Sequence, residues 1–71
     1  MDNKVYKLIE ITGTSEKSSD EAVENAIARA YKSIDNLRWF EVVETRGDIN
    51  NGNVAHWQVT IKVGFTMKDK K

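Results

Sequence analysis

The stretch WFEVVETRGDINNGNVAHWQVTIKVGF, residues 39–65, decides the fold. At its centre lies Asn50–Asn51–Gly52–Asn53. Asn51–Gly52 is a strong two-residue hairpin signal, because both residue types tolerate the positive φ that such turns require. Beyond the turn, residues 54–65 alternate almost without a break. Ala55, Trp57, Val59, Ile61, Val63 and Phe65 take one face, and His56, Gln58, Thr60 and Lys62 the other. Before the turn, residues 39–48 form a second strand, with Phe40 and Val42 on one face and Trp39, Val43 and Thr45 on the other. A two-residue loop makes facing residues carry numbers that sum to about 103, so Phe40 opposes Val63, Val42 opposes Ile61 and Thr45 opposes Gln58. The apolar faces then coincide, and Trp39 falls on the same sheet face as Gln58.

Outward from the hairpin, residues 19–35 show helical periodicity. Val23, Ala26, Ile27, Ala30, Tyr31 and Ile34 recur every three or four residues as one apolar stripe. Ser18 with Glu21 has the spacing of a capping box, Asp20 and Glu21 suit the helix dipole, and Asn36 suits a left-handed C-cap. Residues 4–12 are dense in β-formers, and Gly13 is expected to close that strand. A strand, a helix and a second strand imply a parallel, right-handed crossover. If the third strand fills the gap, the fold is α+β: a two-layer βαββ domain with a sheet of order 1-3-2, the helix stripe packed on its central strand. Trp39 is then on the face away from the helix, where an indole calls for a cover, either a ligand or a neighbouring subunit.

The chain has 71 residues, no Cys, no Pro and a single His, with eleven basic residues balancing eleven acidic ones. One domain is all this length allows. A core this small normally leans on disulfides, a metal or oligomerisation, and the first two lack their residues here, which leaves self-association. Zero net charge offers no field for nucleic acid or an anionic membrane. The short charged tail, residues 67–71, does not change that balance. No run reaches membrane-spanning length, and the N-terminus lacks the layout of a signal peptide, so a cytoplasmic location is expected.

The inventory for catalysis is thin. There is no Cys nucleophile, His56 is the sole imidazole, no carboxylates are spaced as an acid/base pair, and no glycine loop is built to cradle phosphate. No catalytic residue and no metal site are assigned. What stands out is Trp39, sharing a face with an amide, Gln58. A flat indole can stack on a planar ligand while the amide offers a donor and an acceptor to its polar edge, or Trp39 can simply fill an interface. Arg46 suits either a phosphate or a surface ion pair. Trp57 points to the helix side as core or contact bulk.

Several strings in succession carry a resemblance: Val5–Tyr6–Lys7, Gly13–Thr14–Ser15–Glu16–Lys17–Ser18, Ala26–Ile27–Ala28–Arg29–Ala30, Asn36–Leu37–Arg38–Trp39–Phe40–Glu41–Val42, Arg46–Gly47, Trp57–Gln58–Val59 and Lys62–Val63–Gly64–Phe65. Spread in order over almost the whole chain, they resemble the dodecins, small flavin-binding proteins. The resemblance implies a hollow homododecamer that holds FMN, with riboflavin or FAD as alternatives, at subunit contacts. It implies stacked flavin pairs between tryptophans matching Trp39, an isoalloxazine contact from Gln58, and phosphate or rim contacts from Arg46. The implied role is flavin storage and sequestration with quenching of the excited state; some relatives bind coenzyme A. Two departures mark this chain: Thr66, the fourth cofactor-site position with Trp39, Gln58 and Arg46, stands where many bacterial relatives carry an Arg suited to a phosphate, and Trp57 stands where Tyr is common. The competing reading is a structural oligomer or coenzyme A-binding protein in which Trp39 only cements the interface.

Overall fold

A computed structural model describes residues 3–67. Four elements follow in order: β1 (Tyr6–Ser15), α1 (Ser19–Tyr31), β2 (Leu37–Asn50) and β3 (Asn53–Thr66). The three strands form one sheet of order β1-β3-β2, with β3 antiparallel to both neighbours. β1 and β2 are therefore parallel to each other. The expected βαββ arrangement holds, and the strand read as most alternating, β3, is central.

Asn51 and Gly52 have φ values of 53° and 79°, so the tight turn forms where the dipeptide places it. The register departs from a plain hairpin in its middle. Phe40 faces Val63 and Val42 faces Ile61 as expected, but Val43 bulges out, and beyond it Thr45 faces Val59 while Arg46 faces Gln58. A second irregularity between Asp48 and Ile49 restores the original register, so that Asn50 meets Asn53 at the turn. These two bulges, one on each strand, offset each other, and a third shift, between Leu37 and Trp39, adds a residue on β2 at the far end of the pairing. The expected pairing of Thr45 with Gln58 is thus corrected. The extra residue reverses the alternation of β2, turning Thr45 to the helix side and Arg46 to the outer side.

The core is small. Ala22, Ala26 and Ala30 form one ridge of α1 that packs on β1 and β3, where Val59, Ile61 and Val63 are buried; Ile9, Ile11, Val23, Ile27, Leu37 and Trp57 fill in around them. The helix stripe is narrower than its periodicity predicts, because Tyr31 is 75% exposed. A Cβ on Gly13 would lie 2.0 Å from the Ala22 carbonyl oxygen and 2.8 Å from the Ala26 Cβ. Gly13 therefore marks a close approach of helix and sheet and does not close the strand, which runs on to Ser15.

The ends of the helix also differ from expectation. Ser18 is the N-cap, its hydroxyl accepting from the Glu21 N–H at 3.0 Å. The Glu21 carboxylate, instead of returning to Ser18, accepts from the Ser15 hydroxyl, which itself takes the Lys17 and Ser18 N–H groups. Half the capping box is thus replaced by Ser15, one strand-end earlier. The helix stops at Tyr31 rather than 35, with Lys32 as C-cap and a tight turn closed by Ser33 and Ile34 N–H bonds to the Ala30 carbonyl. Asn36 does adopt φ 69°, but it directs the chain into β2 and does not cap the helix. Turn-forming Ser33, Asp35 and Asn36 make this early stop intelligible.

The candidate ligand surface

The sheet face away from α1 is laid out by the register. Crossing it from β1 to β2, Leu8, Gly64 and Trp39 make one row, followed by Glu10, Lys62 and Glu41; then Thr12, Thr60 and Glu44; then Thr14, Gln58 and Arg46; and last His56 with Asp48. Tyr6 and Thr66 pair at the other extreme. One end is aromatic and the other polar, with a charged row between them.

At the aromatic end, the Trp39 indole crosses the central strand over Gly64. A Cβ placed on Gly64 would fall 2.4 Å from the indole Cε2, 2.5 Å from Cζ2 and 2.9 Å from Cδ2. Cδ2 and Cε2 are the ring-fusion carbons, which present no outer edge, so the approach is through the ring face. Trp39 reaches Tyr6 on the far strand, with ring centroids 5.7 Å apart and planes at 69°, an edge-to-face contact. The side chain nonetheless stays 40% exposed. One indole face is backed by the sheet, and exposed surface remains for stacking. Thr66 lies at this end, half-buried, with its N–H donating to the Asn36 carbonyl at 3.2 Å.

At the polar end, Arg46 Nε donates to Gln58 Oε1 at 3.0 Å, and Gln58 Nε2 donates to Asp48 Oδ1 at 3.4 Å. Arg46 also donates to Glu44 Oε1 at 3.2 Å. A guanidinium only donates and a carboxylate only accepts, so the two neighbours dictate which end of the amide is oxygen. Gln58 keeps one N–H and one lone pair for another partner. His56 sits between Glu16 and Asp48, its nitrogens 3.6 Å and 4.0 Å from their carboxylate oxygens. The bulge at Val43 builds this cluster, since without it Arg46 would face the helix side.

The four candidate residues thus separate into two pairs. Trp39 and Thr66 share the aromatic end, and Gln58 and Arg46 the polar end. Gly64, beneath the indole, lies six residues from Gln58 along β3, about 20 Å at the strand rise per residue. Trp39 is not beside Gln58, as the shared face alone suggests. Asp48 joins the candidate surface with no signal in the sequence, because its tie to Gln58 depends on the bulge. Tyr6 was passed over because its neighbour Trp39 is 33 positions away. Among the described residues no group of three or more His, Asp or Glu side chains is gathered to hold a metal ion, and no helix is long and apolar enough to cross a membrane.

This fold and face define a small βαββ module that presents aromatic and polar groups outward from a sheet. The family model for dodecin matches residues 5–68. The dodecin of Thermus thermophilus is 46% identical over 66 residues, covering 93% of this chain and 96% of that protein. The structure of dodecin from Streptomyces davaonensis matches with a TM-score of 0.91 at 50% identity, over 96% of this chain and 100% of that one. Calcium dodecin of Mycobacterium tuberculosis, described as a calcium-chelating immunodominant antigen with a novel calcium-binding site, matches at 0.78 and 31% identity, over 94% and 96%. The chain belongs to the dodecin family.

Proposed function

We propose that this protein is a non-catalytic flavin store: a closed homododecamer that holds FMN between the indoles of neighbouring subunits and quenches its excited state. The observation that carries the reading is the Trp39 indole, seated on Gly64 yet 40% exposed on the outer face. A planar ring stacked there replaces water on an apolar surface. The residues present suit a flavin. Beyond its ties to Arg46 and Asp48, Gln58 retains a donor and an acceptor for the polar edge of the ring system, and leaving these two unpaired in a closed pocket would cost about 1–3 kcal/mol. Arg46 supplies a cation at the same end, matching a phosphate or rim contact. Thr66, where many bacterial relatives carry Arg, supplies none. The bound flavin itself provides the light-absorbing, redox-active ring; the chain binds, orients and shields it.

The separation of Trp39 from Gln58 gives the site a further property. A flavin stacked on one chain's indole does not reach the same chain's Gln58, about 20 Å away along the strand. Both contacts are made only if the two residues come from different subunits. Storage therefore depends on assembly, and a single chain holds half of each site. Riboflavin and FAD share the ring and compete for it; coenzyme A, which lacks a tricyclic ring, would engage Arg46 without the full stack.

The test is a titration of FMN with the flavin-free protein, followed by flavin fluorescence, with riboflavin alongside. Deep, saturable quenching near one flavin per chain is expected, and Trp39→Ala should abolish it while the assembly keeps its size. Quenching retained in Trp39→Ala removes the stack. Loss of the assembly in that variant, with no flavin effect on melting in the parent, returns Trp39 to interface cement.

A further inference from the structure

We propose that Gly64 and Tyr6 are positioning residues for the ligand-stacking indole, fixing the plane of Trp39 before any ligand arrives; the functional part of this inference rests on the stacking reading above. Gly64 acts by having no side chain. Among the described residues the glycine with positive φ is Gly52, so the backbone at position 64 does not require glycine. What requires it is space: a Cβ there would fall 2.4–2.9 Å from three indole carbons. A methyl group at this position and the present indole pose are incompatible, and the indole must lift off the sheet to admit one.

Tyr6 acts from the far strand, β1. Its ring meets the indole edge-to-face at 5.7 Å and 69°. The indole is rooted on β2, rests on β3 and abuts β1, so all three strands contribute to one pose. Without the Tyr6 ring the indole is held only at its root and underside, and it regains other staggered rotamers. Each stacking event would then have to immobilise it, which weakens binding by up to roughly tenfold. Displacing the indole altogether removes the stack and weakens binding by roughly a hundredfold.

The experiment uses the full-length assembled protein in a Trp57→Phe background, which leaves Trp39 as the sole indole. Gly64→Ala, Tyr6→Ala and Tyr6→Phe are compared by near-UV circular dichroism without ligand, by FMN titration and by size exclusion. Gly64→Ala is expected to lose the sharp indole band and bind FMN roughly a hundredfold more weakly, at unchanged assembly size. Tyr6→Ala should show a reduced band and up to roughly tenfold weaker binding, and Tyr6→Phe, which keeps the ring edge, should restore both. A Gly64→Ala protein with the parent's band and affinity overturns the proposal, as does Tyr6→Phe behaving like Tyr6→Ala. Should Gly64→Ala fail to assemble, the two Tyr6 variants decide alone. If the parent binds no FMN, the flavin store fails, while the ligand-free band still decides whether Gly64 and Tyr6 seat the indole.

Discussion

Gln58 shows how much a single side chain owes to its neighbours. Alone, an amide is a two-way group that can present oxygen or nitrogen in either direction. Between Arg46 and Asp48 it has one orientation, because only its oxygen can accept from the guanidinium and only its nitrogen can donate to the carboxylate. Asp48→Ala removes one of the two ties and leaves the amide held by Arg46 alone. FMN affinity in that variant is expected to fall about three- to tenfold, the range for re-freezing one flexible side chain on binding. Asp48→Asn, whose carbonyl can still accept from Gln58, should recover most of the loss. A fluorescence titration of the two variants checks this, and an alanine variant that binds as the parent does would show that Asp48 orients nothing.

At the scale of elements, the sheet and helix are joined at a point where nothing but glycine fits. The hypothetical Cβ of Gly13 meets a helix carbonyl, which cannot swing aside as a flexible side chain would. Gly13→Ala is expected to destabilise the fold by about 1–3 kcal/mol, the usual penalty of overpacking, visible as a lowered Tm in thermal melts. An unchanged Tm would mean that helix and sheet separate easily there. The same elements show what residue patterns can and cannot convey. Strand order, the hairpin turn and the helix onset follow from alternation, from Asn51–Gly52 and from Ser18, each a local signal. The bulge at Val43 has no local signal, since Val42 and Val43 are equally good strand residues. Its presence depends on which side chains β3 offers opposite, and it decides that Arg46, not Thr45, meets Gln58. Trp39 and Gln58 were legible as sharing a face. Their distance along that face was not, because alternation reports which side a residue takes and not how its partners are spread over several strands.

As a whole, the chain is an elongated body of 56 × 20 × 14 Å, whose helix covers β1 and β3 but leaves β2 largely bare. Phe40 and Val42, on the helix side of β2, are each 48% exposed, and a shallow apolar groove of about 150 Å³ runs between Phe40 and α1, lined by Ile27, Leu37, Arg38, Trp39, Phe40 and Val63. An apolar flank of this kind is built to be covered by other copies, in keeping with a family that oligomerises. In the proposed site, the aromatic end of one chain's outer face is completed by the polar end of another's. The most direct test is complementation: Trp39→Ala and Gln58→Ala chains, each defective alone, are co-expressed with different tags, and mixed assemblies carrying both tags are titrated with FMN. If each site draws Trp39 and Gln58 from different subunits, the mixed assemblies recover a fraction of tight, quenched sites that neither parent shows. A mixed assembly that binds no better than the average of the two variants would contradict a flavin site shared between subunits.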